Sequence, residues 1–124
     1  MIKDVSDLEV YQESMRLLPK LYELLRKLPV DERDLELQVK RAAKSVSANM
    51  AEGFAKRFSE KEFKRFLMIA IGSNDEVISH LRTLSIVTPR LSQESSELLE
   101  EYKILSKRIN TLHKNWRFAG KPTH

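Results

Sequence analysis

Four strings of apolar side chains, each advancing in steps of three and four, constrain this chain more than any other feature. They are Leu8, Tyr11, Met15, Leu18, Tyr22 and Leu25; then Leu35, Val39, Ala42, Val46, Asn49 and Gly53; then Phe63, Phe66, Ala70, Ser73, Val77, His80 and Leu84; then Leu98, Tyr102, Leu105, Ile109, Leu112 and Trp116. That spacing keeps one face of an α-helix apolar, whereas a strand would alternate every second residue. No alternating pattern, internal repeat or low-complexity tract competes with it. With 3 glycines and 4 prolines in 124 residues, the chain also lacks the turn residues of a β protein. The spacing predicts helices over about 7–28, 31–57, 60–87 and 92–118, in one domain over 1–119 with a short basic tail at 120–124. Short connections make consecutive helices antiparallel neighbours. The expected fold class is therefore all-α, an up-down-up-down antiparallel four-helix bundle.

Local signals set the expected ends. Ser6-Asp7-Leu8-Glu9 reads as a capping box, and Ser59-Glu60-Lys61-Glu62 as a second. Asp31 suits the N-cap of the second helix. Pro19 should kink the first helix or remove a hydrogen bond. Leu28-Pro29 and Thr88-Pro89 close the first and third helices, and Gly120 with Pro122 marks the end of the fourth. Ala42, Ala43, Ala48, Ala51 and Gly53 let a neighbour approach the second helix closely. Gly72, inside the third helix, reads as another close contact.

The third helix carries a second seam, Leu67, Ile71, Asn74, Ile78 and Leu81. Two apolar faces imply burial on two sides. One face is expected in the core; Leu67, Ile71, Asn74 and Ile78 on the other are expected to form an oligomer interface. Polar residues on or beside the seams (Ser45, Asn49, Glu52, Ser73 and Glu76, with His80) predict a polar network between the second and third helices, because an unpaired buried polar group is costly.

Catalytic chemistry finds little support. Cysteine is absent and histidine occurs 3 times, so no thiolate or His-rich site is available. Di-metal bundles need Glu-x-x-His, but Glu76 and His80 are four apart. No metal or cofactor is expected. Arg108 and His113 match the Arg-x4-6-His spacing of metal-independent RNase bundles, with Ile109 where a polar residue is usual. The expectation is a non-enzyme. The longest apolar run, Phe66 to Ile71, is too short for a membrane span, and residues 1–5 carry no apolar leader. A cytoplasmic protein is expected.

The net charge of +4 hides strong segregation. Residues 1–39 carry −3, 40–65 carry +5, 66–102 carry −4 and 103–124 carry +6. Lys40, Arg41 and Lys44 form one basic group. Lys56, Arg57, Lys61, Lys64 and Arg65 straddle the turn into the third helix. Lys107, Arg108, Lys114 and Arg117 lie on the fourth, with Lys103 and Lys121. Phosphate contacts need only positive charge within reach, so these groups are the expected nucleic-acid-binding residues. Trp116 and Phe118 beside Arg117 could stack on bases. A protein-interaction scaffold, with charge serving only solubility, is the alternative.

The run Gln38 to Gly53, and within it Ser45, Asn49, Glu52 and Gly53, resembles the signature of a bacterial family. These are the four-helix-bundle proteins first known from open reading frames in 23S ribosomal RNA intervening sequences. Asp7-Leu8-Glu9-Val10-Tyr11-Gln12 is similar to the family's start, and Phe66 to Ser73 with Glu76 to its third helix. The resemblance covers about residues 7–84. It implies a bundle assembling as a ring-like homo-oligomer, a pentamer. The family is also similar to accessory proteins of diversity-generating retroelements, which are basic and bind nucleic acid and a reverse transcriptase. RNA or a nucleic-acid-processing protein is thus an implied partner. Ser47 stands where proline is common, and Asn74 where leucine is usual. Pro19 and the Val87-Thr88-Pro89-Arg90 connection also depart from the pattern.

Overall fold

The computed structural model describes residues 2–117. The described residues hold four α-helices and no strand: α1 Glu9–Leu25, α2 Arg33–Ala55, α3 Glu60–Val87 and α4 Ser92–Asn115. Single 3₁₀ turns at Val5–Asp7, Val30–Glu32 and Pro89–Leu91 precede α1, α2 and α4. The expectations for Phe118, Lys121 and the 120–124 tail lie outside the described residues.

The periodic seams supply most of the core. Val39 of α2, Phe63, Leu67 and Leu81 of α3, and Leu105 and Ile109 of α4 are completely buried. On α1 the buried face is rotated from the expected one. Val10, Ser14, Leu17, Leu21 and Leu24 are buried beside Leu25, while Met15 is exposed and Tyr11, Leu18 and Tyr22 are half-buried. Cross-helix contacts give the relative directions. Ser45 on α2 meets Ser73 on α3, and Gly53 further along meets Phe66 and Phe63. Asn74 on α3 reaches Tyr102 and Ser106 on α4, while the Leu81 carbonyl accepts from Ser95 at 2.8 Å. Arg16 of α1 reaches Glu101 of α4 and Lys27 reaches Glu94. In each pair, rising numbers on one helix meet falling numbers on the other.

Helix starts depart from the expected caps because stronger acceptors win. Asp4, not Ser6, caps the N-terminal 3₁₀ turn: its carboxylate accepts from the Ser6 amide at 2.9 Å and the Ser6 hydroxyl at 2.6 Å. Asp7 accepts in return from the amides of Lys3 and Asp4. An ionised acceptor outcompetes a hydroxyl, so Ser6 donates and α1 starts behind Leu8 with no side-chain cap. Those bonds hold both carboxyls below the usual range, for Asp4 through Ser6 and for Asp7 through the Lys3 amide. Asp31 falls inside a 3₁₀ turn instead of capping α2. At α3 half of the box forms: Ser59 Oγ accepts from the Glu62 amide at 3.2 Å, but the Glu62 carboxylate turns to Arg65. Pro19 leaves α1 continuous. It is exposed, so water can replace the donor it lacks.

Of the two glycines expected at close contacts, only Gly53 lies at one. A Cβ on Gly53 would lie 2.5 Å from Phe66 Cβ and 3.2 Å from Phe63 Cδ1, so α2 and α3 touch here only because a side chain is missing. Gly72, expected at a close contact, lies on the exposed side of α3, and a Cβ added there would meet nothing within 4 Å.

Between α1 and α4, Glu101 accepts from Arg16 at 2.9 Å and Lys20 at 3.1 Å. The Arg16 hydrogen bond is the main cause holding the Glu101 carboxyl below its ordinary range, and it acts likewise on Glu13. A folded-state value below the unfolded one stabilises above the unfolded carboxylate range, and the benefit disappears as pH falls through the folded value. Glu101→Gln is therefore expected to lower stability by about 0.5–1 kcal/mol at neutral pH, a magnitude limited by exposure of the pairs. Urea midpoints of the two proteins should converge as the pH is lowered through the carboxylate range.

Candidate nucleic-acid interface

The connection from α2 to α3 is short and fixed by backbone bonds. The amides of Lys56 and Arg57 donate to the Gly53 and Phe54 carbonyls at 2.9 and 3.1 Å, and Ser59 donates to Lys56 at 3.0 Å. Phe54 and Phe58, four residues apart, bracket Arg57. Its guanidinium lies 4.1 Å from the Phe54 ring centre and 5.0 Å from that of Phe58, and donates to the Phe54 carbonyl at 3.1 Å. Phe54 meets Phe63 edge to face at 6.2 Å, and Phe63 meets Trp116 at 4.6 Å. Phe54, Phe63 and Trp116 thus form a row of rings, and Phe58, on the turn after Phe54, is 63% exposed.

The structure gathers several of the expected basic residues around this turn. Lys56 pairs with Glu52 at 3.8 Å and lies 5.2 Å from the Phe66 ring centre. Arg65 pairs with Glu62 at 3.3 Å and lies 4.4 Å from the same centre. Lys64 and Arg117 both approach Glu60, at 3.3 and 3.9 Å, which brings the end of α4 beside the start of α3. Lys61 and Lys114 are exposed and form no salt bridge with a described residue. Exposed pairs contribute only about 0–1 kcal/mol, so a phosphate can compete for the paired cations.

The remaining groups stand apart. Lys40 is half-buried, 2.8 Å from Glu36 and 4.7 Å from the Tyr22 ring centre. Arg41 and Lys44 are exposed without a salt bridge to a described residue. Lys44 precedes Lys56 by twelve residues, about 18 Å along a helix. Lys107 and Arg108 are exposed on α4, with Arg108 close enough to lower the Glu13 carboxyl as a minor influence beside Arg16. Lys107 and Lys114 are two turns apart on one face. Arg108 and His113 are about 140° apart around α4, and His113 is half-buried. The expected residues thus make one cluster at the α2–α3 turn and two outlying groups.

The expected polar network is narrower than the sequence implied. Asn49 Nδ2 donates to the Ser45 carbonyl at 2.8 Å and to Ser45 Oγ at 2.9 Å, and Ser73 Oγ donates to Ser45 Oγ at 3.0 Å. Glu52 and Glu76 lie outside it. They are exposed and pair with Lys56 and His80 along their own helices, where water solvates the charge.

The expected oligomer interface is corrected more deeply. Leu67 and Asn74 are 0% exposed and Ile78 is 7% exposed within the single chain, with Ile71 partly buried against the core. The second seam of α3 faces α4. Asn74 Nδ2 donates to the Tyr102 carbonyl at 2.8 Å and Ser106 Oγ at 2.7 Å, and Ser106 Oγ donates to Asp75 at 3.0 Å. α3 has two apolar faces because it packs on both α2 and α4. Trp116, read as a possible stacking surface, instead packs on Phe63. Its apolar register is the reason, and Phe118 lies outside the described residues.

Sequence reasoning named Arg57 but missed its bracketing rings. The available signal was a phenylalanine pair at i and i+4 around a basic residue just before a helix cap. Among the described residues, no group of three or more His, Cys, Asp or Glu is placed to hold a metal. No helix among them is long and apolar enough to cross a membrane.

Residues 6–111 match the sequence profile of a family described as 23S rRNA-intervening sequence protein. No curated protein matches the chain.

Proposed function

The chain belongs to the 23S rRNA-intervening sequence protein family, and from that membership we propose that it is a non-enzymatic, RNA-binding bundle. In this reading the four helices form an up-down-up-down antiparallel bundle, which assembles as a ring-like homo-oligomer in the cytoplasm. The observation carrying the RNA reading is the concentration of cations around the α2–α3 turn. Lys61 there, Arg41 and Lys44 on α2, and Lys114 in the last turn of α4 are not tied up by carboxylates of the described residues. Phosphates would recruit them by releasing counterions. Binding in this reading is led by charge, since the described residues include no base-reading module. A fluorescent RNA strand titrated with the protein at low salt should show saturable binding and remain uncut. No binding, or cleavage abolished by His113→Ala, would refute this reading.

Self-association needs a different face from the second seam. α3 exposes Met68 and Ile69 in its first half and Ile86, 77% exposed, near its end. Met68 and Ile69 adjoin one another in the open, and this reading assigns them to a contact with a second copy. Met68→Glu is expected to shift the mass by light scattering from an oligomer to a monomer, with helicity retained. A wild-type monomer at micromolar concentration would contradict the assembly.

A further inference from the structure

We propose that the groove between α3 and α4 is a binding site for a small diphosphate ligand of the nucleoside diphosphate type. The inference stands apart from the RNA-binding reading and needs no cation of the α2–α3 turn.

The groove has a volume of about 310 Å³ and is lined by Asp75, Ile78 and Arg82 of α3 and by Lys103, Ser106 and Lys107 of α4. That is the small end of the range for ligand pockets. Three cations meet one carboxylate there. Arg82 is one of two bases between residues 66 and 102. The other, Arg90, donates to the Lys27 carbonyl at 2.6 Å. Arg82 is exposed and forms no hydrogen bond or salt bridge with a described residue, and Lys107 likewise has none. Lys103 is half-buried, and its carboxylate partner, Glu100, is 3.7 Å away. Like charges lining one groove repel each other, and an anionic ligand would relieve all three.

The carboxylate is held by a chain that begins in the core. Asn74, 0% exposed, donates through Nδ2 to the Tyr102 carbonyl at 2.8 Å and to Ser106 Oγ at 2.7 Å. Ser106 Oγ donates in turn to Asp75 Oδ1 at 3.0 Å. The second Asp75 oxygen has no hydrogen bond with a described residue. A carboxylate oxygen of this kind accepts from a sugar hydroxyl, as in ribose recognition. Asp75 and Arg82 lie about 10 Å apart along α3. An acceptor for a hydroxyl thus stands toward one end and a guanidinium suited to phosphate toward the other. Ile78, 7% exposed, supplies apolar surface between them. The surroundings disfavour a long polyanion. Glu76 and Glu100 are exposed beside the groove residues, and residues 66–102 carry −4. A strand leaving the groove would meet that charge, whereas a compact diphosphate stays on the cations.

Isothermal titration calorimetry at low salt with ADP, inorganic pyrophosphate and adenosine tests the site. ADP should saturate at a single site per chain and bind more tightly than pyrophosphate, and adenosine should not bind. Arg82→Gln and Lys103→Gln should each weaken ADP binding about tenfold, with unchanged circular dichroism. Arg33→Gln, which removes an exposed cation at the start of α2, should change it by less than about twofold. No ADP binding by the wild type overturns the proposal. An equal loss in Arg33→Gln shows general charge attraction and also overturns it. So does pyrophosphate binding as tightly as ADP, which leaves Asp75 without a role. If ADP does not bind but Arg82→Gln and Lys103→Gln both weaken RNA binding, the groove is part of an RNA surface instead. ADP binding by a protein that binds no RNA would remove the RNA reading and leave this site standing.

Discussion

Gly53→Ala is expected to cost stability, against the ordinary rule for helices. Alanine is better than glycine in a helix interior by about 1 kcal/mol. At Gly53 that gain meets a new Cβ 2.5 Å from Phe66 Cβ. The obstructing atom is next to the backbone and cannot swing away, so α2 and α3 must separate. Overpacking of this kind costs about 1–3 kcal/mol, occasionally more. The clash should win, with a net loss of about 1–2 kcal/mol in urea unfolding. Gly72→Ala supplies the control. Its new Cβ would meet nothing within 4 Å, so it should gain about 0.5–1 kcal/mol. If both substitutions stabilise equally, the close approach of α2 and α3 at Gly53 is wrong.

The largest functional effect is expected from reversing cations that the fold does not use. Arg41, Lys44, Lys61 and Lys114 form no salt bridge with a described residue. Changing all four to glutamate should leave thermal unfolding nearly unchanged, since exposed substitutions usually stay within about 0.5 kcal/mol each. RNA affinity at low salt should fall by about 100-fold or more, because each reversal removes a phosphate contact and adds repulsion. Lys40 is a poor choice for the same experiment. Its pairing with Glu36 and its position over Tyr22 would mix a stability loss into the result.

The sequence was most legible where periodicity acts alone. Steps of three and four placed Val39, Phe63, Leu105 and Ile109 correctly on the buried sides of their helices. On α1 the same rule chose Met15 and Leu18 over Leu17 and Leu21, because that helix offers apolar residues on adjoining faces and spacing alone does not rank them. The helix bounds moved inward by two residues at the starts of α1 and α2, where 3₁₀ turns precede them, and by two or three at the ends of α1, α2 and α4. Contacts between elements were harder to read. The second seam of α3 was correctly seen as apolar, but its cover is α4, because a helix with two neighbours in one chain has the same pattern as one at a subunit boundary. Gly53 and Gly72 look alike as letters; only the position of Phe66 separates a required glycine from an exposed one. At the N-terminus, Ser6 had the right spacing for a cap, yet the nearby Asp4 carboxylate was the stronger acceptor. Of the candidate site, the charge groups were visible in the sequence. Their division into a turn cluster and outlying groups was not, because Arg117 reaches Glu60 only through the packing of α4 against α3. The bracketing of Arg57 by Phe54 and Phe58 likewise depends on the geometry of the turn.

The salt dependence of RNA binding tests the central claim most directly. For a single strand, log affinity falls against log salt with a slope of about −0.7 per phosphate neutralised. Binding through at least three of the cations should therefore give a slope of about −2 or steeper for the wild type. The fourfold glutamate variant should lose most of that slope together with its affinity. A flat salt response, or an unchanged slope in the variant, would contradict binding of RNA through these basic groups.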